Sequence, residues 1–276
     1  MGLTPHLEPG QFSPMVRLQI NERVQMKEES DYVTYDRSRR GLAWVSYFDL
    51  LGMKQAFKHK HPLEIWRLYQ KCLKRLKHCK EGSKTGGFSN LQFVHFSDSF
   101  IIYTPPLDDP LDRVSFGEIE QASRSFIETL LEKQIPARGA LSCGEFYADE
   151  SGRIFFGAAL AFASEFAEDC NWIGFALHPS AVCRMRKEGC PVETHCPYSD
   201  YYKPWAVPAK KPPMGADGTG QYFAYLLGAC SNQSGQKRLL GNLKEMENDA
   251  EDSAKAKYRH TRSFIEHYLH LTEPAS

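Results

Sequence analysis

The chain has 276 residues, of which 42% are hydrophobic and 25% charged, proportions that are ordinary for a folded globular protein. Its 34 basic and 34 acidic side chains cancel, so the formal net charge is zero and the basic excess typical of nucleic-acid-binding proteins is missing. We therefore expect no nucleic-acid partner, and binding of phosphate has to depend on local charge.

No segment has the pattern of a signal peptide or a membrane helix. The N-terminal residues MGLTPHLEPGQFSP lack a basic region followed by an apolar run, and no stretch approaches the ~18 consecutive apolar residues that cross a bilayer. The eight cysteines are scattered, and a chain of this length builds its core without disulfides. These features predict a soluble, cytoplasmic protein with reduced cysteines and no membrane partner.

One cysteine-rich segment has to be considered as a zinc site, namely Cys183, Cys190, His195 and Cys196. It contains no CxxC pair, and adjacent ligands such as His195 and Cys196 rarely reach one tetrahedral centre. We interpret this segment as a loop with free thiols.

The first half of the chain predicts an arm, a strand, a helix and a hairpin. Residues 1–38 are polar and carry several prolines, which is typical of an arm outside the core. Residues 41–48 (GLAWVSYF) are rich in aromatic and β-branched side chains, as in a buried strand. Pro62 suits the first turn of an amphipathic helix. Two strand-like runs, 91–96 and 100–103, follow as a hairpin.

The second half continues this alternation. We predict helices over 117–133, from Gly157 and over 180–186, strands over 138–146, 172–177 and 221–227, and charged helical sequence from 236 to about 271. The order β-α-β-β-α-β with two αβ additions is that of a ferredoxin-like α/β (α+β) sandwich, an antiparallel sheet with helices on one face. We divide the chain into an N-terminal arm (1–38), a main domain (39–230) and a C-terminal helical extension (231–276).

Two aspartates stand where predicted strands end. Asp49 follows the first strand and Asp98 lies at the hairpin tip, and these elements are neighbours in a ferredoxin-like sheet, so we expect the carboxylates to meet at one edge. Hard oxygen ligands suit Mg²⁺ or Mn²⁺ carrying a nucleoside triphosphate, and two such ions stabilise attacking and leaving oxygens. Spacing alone favours the commoner roles, Asp49 as a helix N-cap and Asp98 as a turn residue.

The residues between these aspartates begin a predicted helix. They are Leu50, Leu51, Gly52 and Met53. Backbone N–H groups at a helix start favour an anion, and phosphate is a natural occupant. Gly52 allows phosphates to approach closely. We find no chemical signature in the N-terminal arm or the C-terminal helix.

Four segments resemble, in order, the motifs of class III adenylate and guanylate cyclases. FDLLGM (48–53) resembles D-I-x-G-F, FSDSF (96–100) resembles G-D-x-F, ARGALSCGE (137–145) resembles R-I-G-I-H-x-G-E, and FGAAL (156–160) resembles the start of W-G-x-x-V-N-x-A-x-R. Each motif alone is weak, whereas four in the right order and separation, over roughly residues 40–230, are specific.

The resemblance implies a homodimer with composite active sites and residues 39–230 as the catalytic domain. Asp49 and Asp98 of one protomer would hold two Mn²⁺ or Mg²⁺ ions while the ribose 3′-hydroxyl attacks the α-phosphate and pyrophosphate leaves. Arg138 matches a family position near the phosphates. Lys210, with Lys211 beside it, lies where the family often has a phosphate-binding lysine, although a solvated loop charge explains it equally well.

The sequence departs from the purine cyclases in the other half of the site. Polar base-reading side chains are replaced by Val94 and Ile154, and the transition-state Asn and Arg by Ala161 and Glu165. The replacement for that arginine stays open between Arg153 and Arg138.

The segment GAALAFASEFAE, beginning at Gly157, resembles a variant found in the bacterial pyrimidine cyclases of the Pycsar anti-phage system. This resemblance implies conversion of UTP, or CTP, to the cyclic nucleotide, with a pocket of Tyr47, Val94, His95 and Ile154 for the smaller base. Two alternatives stay open, a purine (adenylate) cyclase and an inactive cyclase-homology module that binds nucleotide and regulates a partner.

Overall fold

The computed structural model describes residues 40–53, 58, 61–81, 91–106, 113–149, 154–210, 221–229 and 232–272. The described residues, from 40 to 272, belong to one compact unit. The predicted arm, Arg153 and Lys211 lie outside the described residues. None of the described helices is both long and apolar enough to cross a membrane.

The described part of the chain includes eight strands and seven helices. The strands are β1 (Arg40–Leu50), β2 (Gln92–Phe96), β3 (Ser99–Tyr103), β4 (Ala137–Ala148), β5 (Phe155–Phe156), β6 (Gly174–Leu177), β7 (Tyr202–Trp205) and β8 (Tyr222–Tyr225). The helices are α1 (Pro62–Glu81), α2 (Arg113–Glu132), α3 (Ala158–Asp169), α4 (Pro179–Lys187), α5 (Tyr198–Tyr201), α6 (Asn232–Asp249) and α7 (Asp252–Thr272).

The sheet contains the ferredoxin-like core that the sequence predicts. Its strand order is β2-β3-β1-β4-β6-β8-β7, with β5 paired to β4 off this path. The first four strands pair antiparallel with helical crossovers after β1 and β3, which confirms the predicted mixed α/β fold. One pair departs from the antiparallel expectation, because β4 and β6 run parallel.

Strand β1 is buried on both faces, and its alternation separates two cores. Trp44 and Phe48 point into a core that includes the buried side chains of α1 and α2. Val45 and Tyr47 point to the opposite face, where α3 lies. The prediction of helices on one face is therefore wrong for α3. This helix approaches closely because its inner positions are alanines, and a Cβ on Gly144 of β4 would lie 3.2 Å from the Ala159 nitrogen.

Two further differences concern the C-terminal part. Residues 202–205, for which the sequence analysis predicts no strand, form β7 at the outer edge of the sheet. Pro204 is tolerated there because an edge strand can lack one ladder donor. The predicted charged helix is two helices separated at Ala250 and Glu251. They pack on the same core as the sheet, and Phe264 of α7 contacts the Trp172 ring at 5.6 Å.

Candidate active site

Asp49 and Asp98 are brought together at one end of β1. Asp49 pairs in register with Ser99, the first residue of β3, so the hairpin tip folds beside it. Ser97 takes a left-handed conformation (φ 56°) that turns the chain, and the Asp98 carbonyl accepts a 2.9 Å hydrogen bond from the Leu50 N–H. The two carboxylates lie within electrostatic range, since Asp98 raises the pKa of Asp49. This is the arrangement that the sequence predicts for the pair.

Arg138 is the closest partner of Asp49. It lies opposite Asp49 on β4 and donates from Nε and Nη2 to the same oxygen, Oδ2, at 2.8 and 2.7 Å. Its Nη1 donates to the carbonyls of Glu168 and Cys170 at 2.6 and 2.9 Å. Four of its five N–H hydrogens are thus used within the chain, and the residue is 7% exposed. Arg138 therefore holds Asp49 and the end of α3 in place.

The Asp49 carboxyl is harder to ionise than an ordinary aspartate. Burial raises its pKa from the usual 3.8, and the charges of Asp98 and Glu168 add to this effect. The hydrogen bonds and charge of Arg138 act in the opposite direction but do not outweigh them. A cation placed beside this carboxyl would stabilise its ionised form.

Tyr47 lies two residues before Asp49 on the same face of β1. Its hydroxyl shares a hydrogen bond with Ser99 Oγ at 2.8 Å and donates to Glu168 Oε1 at 3.2 Å. Burial raises the pKa of Tyr47 to about 12, so the phenol stays protonated at neutral pH. Glu168, which the sequence did not single out, therefore joins β1, β3 and α3 beside the two aspartates.

A group of basic side chains flanks the carboxylates. The Lys210 ammonium donates to the Glu168 carbonyl at 2.6 Å, and the Lys210 N–H donates to the Asp169 carbonyl at 2.8 Å. Lys257 of α7 lies within electrostatic range of Arg138, Lys210 and Asp49. We call Arg138, Lys210 and Lys257 the basic cluster. Lys257 was missed from the sequence because a lysine on a charged helix looks like part of a solvated face.

The predicted phosphate cradle at residues 50–53 is only partly open. The N–H of Leu50 donates to the Asp98 carbonyl at 2.9 Å, and that of Leu51 donates to the Pro136 carbonyl at 2.8 Å. These two donors are used by the fold and are not free to bind phosphate. Gly52 and Met53 stay as candidates. Gly52 is required by its positive φ of 74°, and open space surrounds the position that its Cβ would take.

The four residues predicted to line a base pocket are not brought together within one chain. Val94 packs on the α3 face near Tyr47, whereas the His95 ring lies on the opposite face, stacked 5.9 Å from Phe100. Ile154 follows the far end of β4, where its carbonyl accepts from the Asp149 N–H. Measured along β4, this end of the strand is roughly 30 Å from the position that lies level with Val94 across the sheet.

The residues that stand where the purine cyclases have their transition-state Asn and Arg lie on the exposed side of α3. Ala161 and Glu165 are both exposed, one helical turn apart. Exposed apolar side chains lie on the same helix and on the segment before it, at Ile154, Phe156 and Phe162. Ala161 has no polar group with which to bind substrate, and Glu165 carries the opposite charge to the family's arginine.

Any metal ion at this site would have to be held by the two carboxylates Asp49 and Asp98. Among the described residues no group of three or more His, Cys, Asp or Glu side chains has the geometry of a metal site, and this includes the segment around Cys190. Magnesium, however, is commonly held by one or two carboxylates together with substrate phosphates. Asp98 and the Asp49 oxygen that Arg138 leaves free, Oδ1, fit that arrangement.

Comparisons with known proteins give distant structural similarity. No family model and no curated protein match the sequence. The catalytic core of a rhodopsin-guanylyl cyclase with converted specificity, solved with ATPαS, is 13% identical with a TM-score of 0.47, covering 67% of this chain and 93% of that one. A bacterial light-regulated adenylyl cyclase is 7% identical (TM-score 0.45, covering 75% and 98%). The adenylyl cyclase CyaB from P. aeruginosa is 9% identical (0.43, 67% and 92%). With TM-scores below 0.5, the function has to be argued from the site itself.

Proposed function

We propose that this protein is a nucleotidyl cyclase that converts a nucleoside triphosphate to its 3′,5′-cyclic nucleotide and pyrophosphate. The observation that carries the proposal is the meeting of Asp49 and Asp98 at the end of β1, with cationic side chains beside them. Paired carboxylates suit the metal ions of a triphosphate, and nearby cations suit its phosphates. The four ordered motifs that resemble class III cyclases support the same reaction.

The chain's own residues would position the reactants. When bound on Asp49 and Asp98, Mn²⁺ or Mg²⁺ supplies charge stabilisation for the 3′-oxygen and the leaving pyrophosphate. Arg138 keeps Asp49 oriented through Oδ2 and makes no bond to Oδ1, so we assign it a positioning role. Lys210 has two ammonium hydrogens beyond its bond to the Glu168 carbonyl, and these would neutralise charge on the phosphates.

We infer further that the substrate is a pyrimidine nucleotide, UTP or CTP, and that the cyclic product serves in anti-phage defence. Support comes from apolar Val94 and Ile154 at the base-reading positions and from the helix segment that begins at Gly157. A site without polar groups there gives no hydrogen bonds that select adenine or guanine. Because Val94 and Ile154 are far apart in one chain, a base pocket would need a second protomer, as in the head-to-tail homodimer that the resemblance implies.

Incubation with ATP, GTP, CTP and UTP separately, each with Mn²⁺, tests the proposal. Products are identified by mass spectrometry. We expect a cyclic pyrimidine nucleotide and pyrophosphate, with cyclic UMP as the main product. A cyclic purine nucleotide as the product would support the cyclase reaction and overturn the pyrimidine assignment. Nucleotide binding without turnover would instead identify the chain as an inactive cyclase-homology module.

A further inference from the structure

The C-terminal helix α7 is fastened to the segment that supports the candidate site. The buried Thr261 hydroxyl accepts from the Ile173 N–H at 2.9 Å and donates to the Ile173 carbonyl at 2.7 Å. One residue earlier, His260 Nδ1 makes a 2.9 Å hydrogen bond with the Asn171 carbonyl. These bonds fix one face of α7 against residues 171–173, which directly follow the carbonyls that hold Arg138.

Lys257 lies on the same face of α7, one turn before Thr261. Residues four apart on a helix are stacked one above the other, so the anchoring of Thr261 also fixes where Lys257 starts. Its ammonium lies within electrostatic range of Arg138, Lys210 and Asp49. The buried bonds of Thr261 oppose any sliding of α7 that would move Lys257 away.

Repulsion among these three cations is only partly offset by Asp49, which acts to raise the pKa of Lys257. Burial lowers the pKa of Lys257, and repulsion from Arg138 and Lys210 lowers it further. Arg138 is already bound to Asp49, whereas Lys210 contacts only a carbonyl among its described hydrogen bonds. A polyphosphate would accept hydrogen bonds from both lysines and remove the repulsion between them.

We propose that Lys257 of the C-terminal helix, together with Lys210, binds the phosphate chain of the substrate beside Asp49 and Asp98. This inference deepens the proposed function, since it depends on a triphosphate being the ligand of this site. It also makes α7 part of the active site, whereas the sequence gives residues 231–276 no chemical role.

Binding of inorganic tripolyphosphate in the presence of Mn²⁺, measured by calorimetry on the full chain, tests this assignment. Lys257→Met removes the charge and keeps the apolar stem, and Lys257→Arg restores a cation. The control is Lys255→Met on the same helix, because Lys255 pairs with the 97% exposed Asp252. We expect about tenfold weaker binding for Lys257→Met, the loss typical of a charged hydrogen bond, and near wild-type affinity for the other two variants.

The outcomes separate this inference from the cyclase proposal. Unchanged tripolyphosphate affinity in Lys257→Met, or equal loss in Lys255→Met, overturns the role of Lys257 even when the wild type cyclises a nucleotide. Suppose that only Lys257→Met loses tripolyphosphate affinity and that the wild type cyclises none of the four triphosphates. That result supports the anion site and overturns the cyclase proposal. Because the binding assay needs no turnover, each result is read independently of activity.

Discussion

Arg138 places two hydrogen bonds on one oxygen of Asp49, with its Nε and Nη2 at 2.8 and 2.7 Å from Oδ2. The ion pair is largely buried, with 9% of the arginine and 17% of the aspartate side chain exposed. This geometry orients Asp49 and leaves its other oxygen, Oδ1, without a hydrogen bond from Arg138. The Arg138–Asp49 pair therefore contributes both to the stability of the fold and to the orientation of the Asp49 carboxylate in the candidate site.

Replacing Arg138 should destabilise the fold strongly. Arg138→Gln leaves a buried carboxylate without its cation and removes the side-chain donor to the Cys170 carbonyl, which typically costs about 3 kcal/mol. The control is Arg238→Gln, because Arg238 and its partner Glu132 are 60% and 43% exposed, and such pairs contribute about 0.5 kcal/mol. Urea denaturation measures both. Equal losses in the two variants would contradict the structural role of Arg138.

Activity should fall on the acid side before the protein unfolds. Burial raises the pKa of Asp49 above 3.8, so this carboxylate takes up a proton at higher pH than an ordinary aspartate. The folded state then binds that proton more tightly than the unfolded chain, so protonation of Asp49 stabilises the fold as pH falls. We expect kcat/KM to decline with falling pH while far-UV circular dichroism stays constant.

The charge of Glu168 contributes to this fall of kcat/KM at acid pH, the acid limb of the pH profile. It raises the pKa of Asp49, so Glu168→Gln should move the limb to lower pH, while glutamine still accepts the Tyr47 hydrogen bond. The same pH profile measures the shift. A limb that stays in place, or one that coincides with loss of circular dichroism, would rule out Asp49 as its origin.

Gly139 should tolerate no side chain. A Cβ there would lie 2.5 Å from Phe48 Cδ1 and 2.8 Å from the Tyr47 carbonyl oxygen, so the β1 strand that carries Asp49 would have to shift. Gly139→Ala should cost about 3 kcal/mol and lower activity, whereas Gly241→Ala on α6, where open space surrounds the site, should gain about 0.5–1 kcal/mol. Thermal denaturation compares them, and a stable Gly139→Ala would contradict the packing.

Thr261→Val tests the anchor of α7. Valine keeps the volume but leaves the buried Ile173 N–H without its acceptor, which should cost about 2 kcal/mol. If α7 positions Lys257, the variant should also bind tripolyphosphate more weakly. Thr129→Val is the control, because its partly buried hydroxyl donates only to the Ser125 carbonyl within α2. If Thr129→Val weakens tripolyphosphate binding as much as Thr261→Val does, the loss does not come from the anchor that positions Lys257.

The sequence predicts the core topology because each element has its own periodicity. The buried runs of β1 and β3, the hairpin between β2 and β3 and the amphipathic α2 are local patterns, and together they place Asp49 beside Asp98. Strand alternation also separates Val94 from His95, since neighbouring residues in a strand point to opposite faces. The predicted four-residue pocket overlooked that alternation.

The remaining features depend on tertiary contacts that leave no local signal. Lys257 enters the site only because Thr261 fastens α7 to residue 173, and a threonine on a charged helix does not reveal this partner. Glu168 likewise looks like a solvated helix residue until Tyr47 approaches it. The sequence predicts open N–H groups at Leu50 and Leu51, but these groups donate to the Asp98 and Pro136 carbonyls.

The most direct test of the central claim is nucleotide turnover by Asp98→Asn. Asparagine keeps the hairpin, because the Leu50 N–H binds the backbone carbonyl of this residue rather than its side chain. Asp200→Asn, a change at an exposed aspartate, is the matched control. We predict that the wild type and Asp200→Asn form a cyclic nucleotide at similar rates and that Asp98→Asn is at least about 100-fold slower. Wild-type turnover in Asp98→Asn would contradict the account, and so would a wild type that cyclises none of the four triphosphates.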